Sequence, residues 1–298
     1  MTSVLTLIAG MTGPALDHSI AEQARVALTD CGADVGAPDW LAPGAACDSP
    51  YTGAAPEAAQ AAVRARLGAL PIDLAAQPAA GRRKRLFVAD MDSTMITGES
   101  LDELAAYAGV KDEVAALTVR AMNGEIDYRS SLRARVAMLK GLKLSTMEEV
   151  AARIEATQGA RALVQTMRKH GAYTLLVTSG FRFFSSRVRD TLGFHGDISN
   201  QLEMDGDSLT GAVVEPILNR DGKRETLERT AAERGIPLEA ALAVGDGAND
   251  LDMLARAGLG VAFRAKPVVA TAARVRVDHA DLTALLYLQG YRRDEFAG

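Results

Sequence analysis

Two carboxylates one residue apart, Asp90 and Asp92, follow the apolar run Leu86-Phe87-Val88-Ala89 and precede the hydroxyls of Ser93 and Thr94. One carboxylate so placed can attack phosphorus while the second, two positions on, handles a proton. The hydroxyls and the N–H groups of the turn suit phosphate oxygens. Alone, Asp-x-Asp also fits a strand-to-turn junction with acidic capping residues. Two further apolar runs favour the chemical reading. Ala172 to Val177 ends in Thr178-Ser179-Gly180, and Ala241 to Gly245 ends in Asp246-Gly247-Ala248-Asn249-Asp250, with Lys223 opening a helix between them. Four carboxylates converging without a cation would repel one another, and hard oxygen ligands without His or Cys point to Mg2+. Asp90 and Asp246 are expected as side-chain metal ligands, the Asp92 main-chain carbonyl as a third, and Asp250 as support for the metal site. Mg2+ and Lys223 would offset the repulsion between Asp90 and a phosphate dianion, so that in-line attack gives an aspartyl-phosphate. Asp92 would protonate the leaving alkoxide and then deprotonate the hydrolytic water. Ser179 and the Gly180 N–H are expected to hold the phosphoryl oxygens.

Positioning these groups requires strands buried on both faces, because uninterrupted apolar runs read as the centre of a parallel sheet and chemistry sits at its carboxyl edge. Between the first and second runs the pattern turns helical over 99–109, 111–122, 127–140 and 145–156, separated by Gly109, Asn123-Gly124 and Gly141. Such an insert covers the active edge, excluding water and choosing the substrate. Leu202 to Val214, broken at Asp205-Gly206-Asp207, reads as a hairpin, and Leu259 to Phe263 and Val275 to Val277 as further strands. Ahead of all this, residues 1–81 read as strand, helix, hairpin, helix and strand, a small α+β ferredoxin-like domain. The predicted architecture is a doubly wound, Rossmann-like α/β sheet in residues 82–298, with a helical-bundle cap inserted at about 97–158.

With 298 residues, 48% of them hydrophobic and 24% charged, the composition is that of a globular protein of one to three domains. No run approaches the 18 or so apolar residues of a membrane helix and the first residues lack a basic signal-peptide start, so cytoplasmic localisation without a membrane partner is expected. Cys31 and Cys47 have no local metal-site partners, which argues against a disulfide scaffold or zinc. Residues 1–80 hold three basic and eight acidic side chains, so they carry the whole net charge of −5. With aromatics at 5% and no basic stripe interleaved with stacking residues, no nucleic-acid partner is expected. The basic run Arg82-Arg83-Lys84-Arg85 is read as a solvated linker.

Asp90-Met91-Asp92-Ser93-Thr94, Thr178-Ser179-Gly180, Lys223 and Gly245-Asp246-Gly247-Ala248-Asn249-Asp250 together resemble the four ordered motifs of the haloacid dehalogenase (HAD) superfamily. Glu99, the stretch Ala121 to Tyr128 with Ser131 to Arg135, and Asp278 to Tyr287 are similar to its phosphoserine phosphatase branch, over about residues 85–292. That resemblance implies O-phospho-L-serine as substrate and the last step of serine biosynthesis. It places Glu99 on the substrate ammonium and Arg135 on its carboxylate, with Met122 and Tyr128 shaping the pocket and Asn249 beside the phosphate. Tyr128 stands where Phe is common in the branch. The front domain resembles an ACT-like regulatory domain, which leaves amino acid binding, homodimer formation or mere packing open. Two other readings remain: a capped phosphatase or phosphotransferase acting on another small substrate such as homoserine, and a non-enzymatic amino acid sensor.

Overall fold

The structure, a computed structural model, describes residues 2–122 and 125–297, the Met122 side chain excepted. The first residues form β1 (Ser3–Ala9), α1 (His18–Asp30), β2 (Asp34–Val35), β3 (Asp39–Ala42), β4 (Ala46–Thr52), α2 (Pro56–Leu67) and β5 (Ile72–Pro78). Their antiparallel sheet has the order β2-β4-β1-β5, with β3 hairpinned onto β4. Asp17 starts α1 by accepting from the Ile20 N–H at 2.9 Å, and Pro56 pre-sets the first turn of α2. Ala24, Leu28, Ala59 and Val63 bury the helices against Leu5, Leu7 and Leu74 of the sheet. This small α+β unit has the ferredoxin-like order of elements.

The chain continues through β6 (Leu86–Ala89), the helical insert α3 (Ser100–Tyr107), α4 (Lys111–Met122), α5 (Tyr128–Ala137) and α6 (Leu144–Arg153), and then α7 (Ala160–Lys169). Next come β7 (Tyr173–Phe181), α8 (Arg182–Leu192), the β8–β9 hairpin (Gly196–Asp205, Ser208–Val214), α9 (Arg220–Glu233) and β10 (Ala241–Gly245). The last elements are α10 (Leu251–Arg256), β11 (Leu259–Phe263), α11 (Pro267–Ala272), β12 (Val275–Val277) and α12 (Ala284–Leu288). The second sheet runs β12-β11-β10-β6-β7-β8-β9 and is parallel except at the hairpin. The chain leaves β6 to one side and returns to β10 on the other, so the order reverses beside β6 and opens a crevice at its carboxyl end.

The apolar run of β6 follows from its position. Leu86 and Val88 face Leu227, Ala231 and Met253 of α9 and α10, whereas Phe87 and Ala89 belong to the cluster that holds Leu163, Met167, Phe184 and Leu285. Each of its larger side chains contributes roughly 1.5–3 kcal/mol by leaving water. The insert is closed at its base, where Ile96 bridges Ala156 and the Thr97 N–H donates to the Glu155 carbonyl at 2.9 Å. Its far side rests on the core hairpin, with Gly141 N–H on the Leu209 carbonyl at 2.8 Å and Leu209 N–H on that of Leu142 at 2.9 Å.

The reading of Arg82 to Arg85 as a solvated linker is corrected at two positions. Arg82 is mostly buried, pairs with Asp48 at 2.6 Å and donates to Thr6 Oγ1 and the Tyr287 and Leu288 carbonyls. Lys84 is also buried, its ammonium on the carbonyls of Gly81 and Glu239 at 2.9 Å each. Buried cations need such partners, and both sets lie far away in sequence or on the main chain, where composition does not show them. β7 likewise extends past Val177 to Phe181 through an irregularity in its pairing with β8.

Arg82 helps to fasten the first sheet to the rest of the chain, as do Gln77 on the Leu288 carbonyl at 2.6 Å and Arg292 on Asp39 at 2.7 Å. A further, deeply buried fastener is Asp73 on β5, 1% exposed, whose carboxylate accepts from the N–H groups of Asp278, His279 and Ala280 at 2.8, 3.0 and 2.8 Å. Gly10 lies so close to the same segment that a Cβ would stand 2.8 Å from that of His279. Asp73→Ala orphans three N–H groups, each about 1–3 kcal/mol if left buried. Urea denaturation is therefore expected to show a loss of roughly 3 kcal/mol. A loss under about 1 kcal/mol would mean that water replaces the carboxylate.

Candidate active site

Asp90 stands where β6 leaves the sheet. Its Oδ1 accepts from the Met91 N–H at 2.7 Å and pairs with Lys223 Nζ at 2.7 Å. Lys223 is on the first turn of α9, a helix that starts when Asn219 Oδ1 accepts from the Gly222 N–H at 3.1 Å. Its ammonium is fully buried and also meets Asp250 Oδ1 at 2.7 Å. The second Asp250 oxygen accepts from the Gly247 N–H at 3.0 Å, so this carboxylate is committed on both sides. Asp246, at the end of β10, accepts from Thr94 Oγ1 at 3.2 Å. One oxygen from each of Asp90, Asp246 and Asp250 falls within 4.8 Å of the others. The donor set is all oxygen and anionic, which fits a hard divalent cation between Asp90 and Asp246 with Asp250 behind.

Asp92 lies two residues on, just before Ser93, which takes a left-handed φ of 54°. Its oxygens accept from the Ser100 N–H at 2.7 Å, at the start of α3, and from Thr178 Oγ1 at 3.2 Å. A Cβ at Gly180 would lie 2.7 Å from Asp92 Oδ2, so only glycine lets β7 come this close. The Gly180 N–H donates to Thr178 Oγ1 at 2.8 Å, and Gly180 itself lines the cavity above this edge. Ser179 remains at the wall, with Asn249 Nδ2 donating to its Oγ at 3.5 Å.

Above this edge is a cavity of about 280 Å³, walled by Asp90 and Asp92 below and by Glu99, Tyr128 and Arg135 from the insert. Glu99 accepts from Ser93 Oγ at 2.9 Å, and Arg135 is steadied by the Ser131 carbonyl and Thr118 Oγ1, both at 3.4 Å. The insert therefore brings one anion and one cation to the wall of a small chamber that is also lined by Asp90, Asp92 and Asp246. Lys223 stays beneath Asp90 and Asp250 instead of joining the wall, because two carboxylates hold it there. Met122 lies outside the described side chains. Lys266 also lines the cavity, its ammonium 3.6 Å from Asp246 Oδ2. Sequence reasoning missed it, as it missed the roles of Thr94 and Thr178, because a lone lysine before a proline carries no signal.

Burial dominates the electrostatics. It holds Asp90 well above the ordinary carboxylate range, reinforced by the Asp250 charge and opposed by Lys223. It raises Asp92 against the hydrogen bonds from Ser100 and Thr178, and raises Glu99 with help from the Asp92 charge. Asp246 is pushed up to about 6, with Lys266 pulling the other way. For Lys223 burial works against the charge, yet Asp250 and Asp90 together keep its pKa above the usual lysine value. Acids held in this state suit proton transfer near neutral pH.

The haloacid dehalogenase-like hydrolase family model matches residues 87–255. The chain is 41% identical over 288 residues to a phosphoserine phosphatase of Streptomyces coelicolor, an alignment spanning 94% of this chain and 70% of that one. It is 44% identical over 216 residues to a phosphoserine phosphatase of Mycobacterium tuberculosis, covering 72% of this chain and 53% of the relative. Among solved structures, a HAD family hydrolase from Salmonella enterica superposes with a TM-score of 0.84 at 27% identity, over 96% of this chain and 98% of that one. A substrate-bound phosphoserine phosphatase complex gives a TM-score of 0.65 at 36% identity, over 69% and 98% of the two chains.

Proposed function

The chain belongs to the haloacid dehalogenase-like hydrolases, and within them we propose that it is a phosphoserine phosphatase, hydrolysing O-phospho-L-serine to L-serine and phosphate. The observation that carries this reading is one chamber lined both by Glu99 and Arg135 of the insert and by Asp90 and Asp92 of the sheet edge. An amino acid zwitterion needs one anion and one cation, and the guanidinium fork matches a carboxylate. Asp90, Asp246 and the Asp92 carbonyl would hold Mg2+, which when bound draws charge from the phosphate dianion and lets a carboxylate approach it.

Asp90 attacks phosphorus through the oxygen not shared by Met91 and Lys223, forming the P–O bond of an aspartyl-phosphate as the serine oxygen leaves. Asp92 gives its proton to that oxygen, then takes one from the water that cleaves the acyl-phosphate. Its two hydrogen bonds, from α3 and from β7, hold it in line for both transfers. Ser179 and Asn249 hold phosphoryl oxygens, Tyr128 closes the wall, and Lys223 fixes Asp90 from behind. Residues 1–81 form a separate front domain, 82–298 the catalytic one and about 97–158 its cap. The front domain serves regulation or homodimer formation. No helix among the described residues is long and apolar enough to cross a membrane, and we place the protein in the cytoplasm.

The test is phosphate release from L-phosphoserine with and without Mg2+, alongside a panel of phosphomonoesters. Preference for a substrate lacking the amino group would reject the proposal. Glu99→Gln and Arg135→Met each remove a charge-assisted bond of about 1.5–3 kcal/mol. Each is expected to raise KM for phosphoserine by roughly 10- to 100-fold while leaving p-nitrophenyl phosphate hydrolysis nearly unchanged.

A further inference from the structure

Lys266 is a cation that the reaction does not use and that the fold nevertheless fixes beside the metal site. Its backbone is tied at both ends. The N–H donates to the Asp246 carbonyl at 3.0 Å, and its own carbonyl caps α11 by accepting from Val269 and Ala270 at 2.9 and 3.0 Å. The residue therefore cannot leave the carboxyl edge of β10 without unravelling the start of α11. From that anchor the ammonium reaches to 3.6 Å from Asp246 Oδ2, on a side chain that is 49% exposed.

Lys223 is taken up by Asp90 and Asp250, and Arg135 stands on the cap side of the cavity. Among the described residues, Lys266 is thus the cation paired with the Asp246 carboxylate. A divalent cation held by Asp90 and Asp246 and an ammonium already resting on Asp246 compete for the same negative charge. They also repel each other across a few ångströms, part-screened because the lysine is half in solvent.

We propose that Lys266 is the resident counter-ion of Asp246, a positioning residue that the incoming metal must displace and that thereby sets how tightly the substrate-free protein holds Mg2+. The inference rests on the phosphatase reading only for the identity of the cation. It makes a claim with an unusual sign: removing a polar residue from the wall of a metal site improves metal binding. A lysine of merely structural use would have no such effect, and one that helped recruit the metal complex would have the opposite one.

The experiment is calorimetric titration of Mg2+ into the full chain without substrate, at pH 8, where protons compete little for Asp246. Lys266→Met is expected to bind Mg2+ about three- to tenfold more tightly than the parent, the range for a part-screened charge next to a divalent ion. Lys266→Arg keeps the charge and is expected to stay within about twofold of the parent. Unchanged or weaker binding by Lys266→Met overturns the inference, as does tighter binding by Lys266→Arg equal to that of Lys266→Met. Because no phosphoserine is present, the outcome separates from the proposed function. A graded metal affinity in a chain that spares phosphoserine removes the substrate and keeps the counter-ion, whereas phosphoserine turnover with equal affinities does the reverse.

Discussion

Asp90→Asn is expected to abolish turnover, with kcat falling at least ~10⁴-fold, which corresponds to about 5.5 kcal/mol in the barrier. The argument is chemical. A neutral amide has no lone pair with the nucleophilicity of a carboxylate, so the covalent step is lost outright and not merely weakened. The fold is expected to survive, because Asn keeps an oxygen for the Met91 N–H that Asp90 accepts at 2.7 Å. Lys223 also keeps Asp250 as a partner. Removing one member of a crowded acidic floor relieves repulsion, so urea stability is expected to match or exceed that of the parent. Phosphate release and circular dichroism decide the matter. A folded variant retaining more than about 1% of the activity would point to direct attack by water, with Asp90 as a metal ligand only.

That expectation draws on the part of the molecule that is most visible in the amino-acid order. Three apolar runs end in Asp90, Ser179 and Asp246, and because the sheet buries both faces of β6, β7 and β10, hydrophobicity and strand position coincide there. The end of each run is then the active edge, and the convergence of Asp90, Asp246 and Asp250 within 4.8 Å follows from topology. The helical insert was visible for a similar reason, since its apolar residues recur at helical spacing.

What stayed hidden depends on partners distant in the chain. Arg82 reads as a solvated arginine until β4 supplies Asp48, 34 positions earlier, and the chain near α12 supplies two carbonyls. The tie between the Gly180 N–H and Thr178 Oγ1, and through Thr178 to Asp92, likewise appears only once β7 is folded against the Asp92 turn. α7 and α8 also bury apolar faces, through Leu163, Val164 and Met167 and through Phe184 and Val188, that no strand-end motif calls for. Their role is to cover the sheet face that holds Phe87 and Leu176, a requirement that comes from the strands they connect. Lys223 is an instructive middle case. Its place at the opening of α9 was legible, but not its depth, because a lysine in a helix's first turn is ordinarily in water.

That depth sets the last expectation. In metal-free buffer, Lys223→Met leaves Asp90 and Asp250 with no cation, in a site where the lysine side chain is 0% exposed and the two carboxylates 7% and 0%. Breaking a buried ion pair from one side typically costs about 3–5 kcal/mol, because the remaining charge cannot be solvated. Activity is expected to fall by more than ~10³-fold, since Asp90 loses the contact that fixes it. The stability loss carries a pH signature whose sign is determined by the acids. Burial already holds Asp90 above its unfolded pKa, and loss of Lys223 raises it further. The folded variant therefore binds more protons than the unfolded chain, so its deficit should shrink as pH falls from about 7.5 to 5.5 and return as pH rises. Adding Asp250→Asn removes one of the two stranded charges, so the double variant should regain roughly half of the lost stability without regaining turnover. Urea midpoints at the two pH values, with phosphate release for each variant, test both points. A single variant that loses under about 1 kcal/mol, or whose deficit grows on acidification, would show that the ammonium does not neutralise this floor.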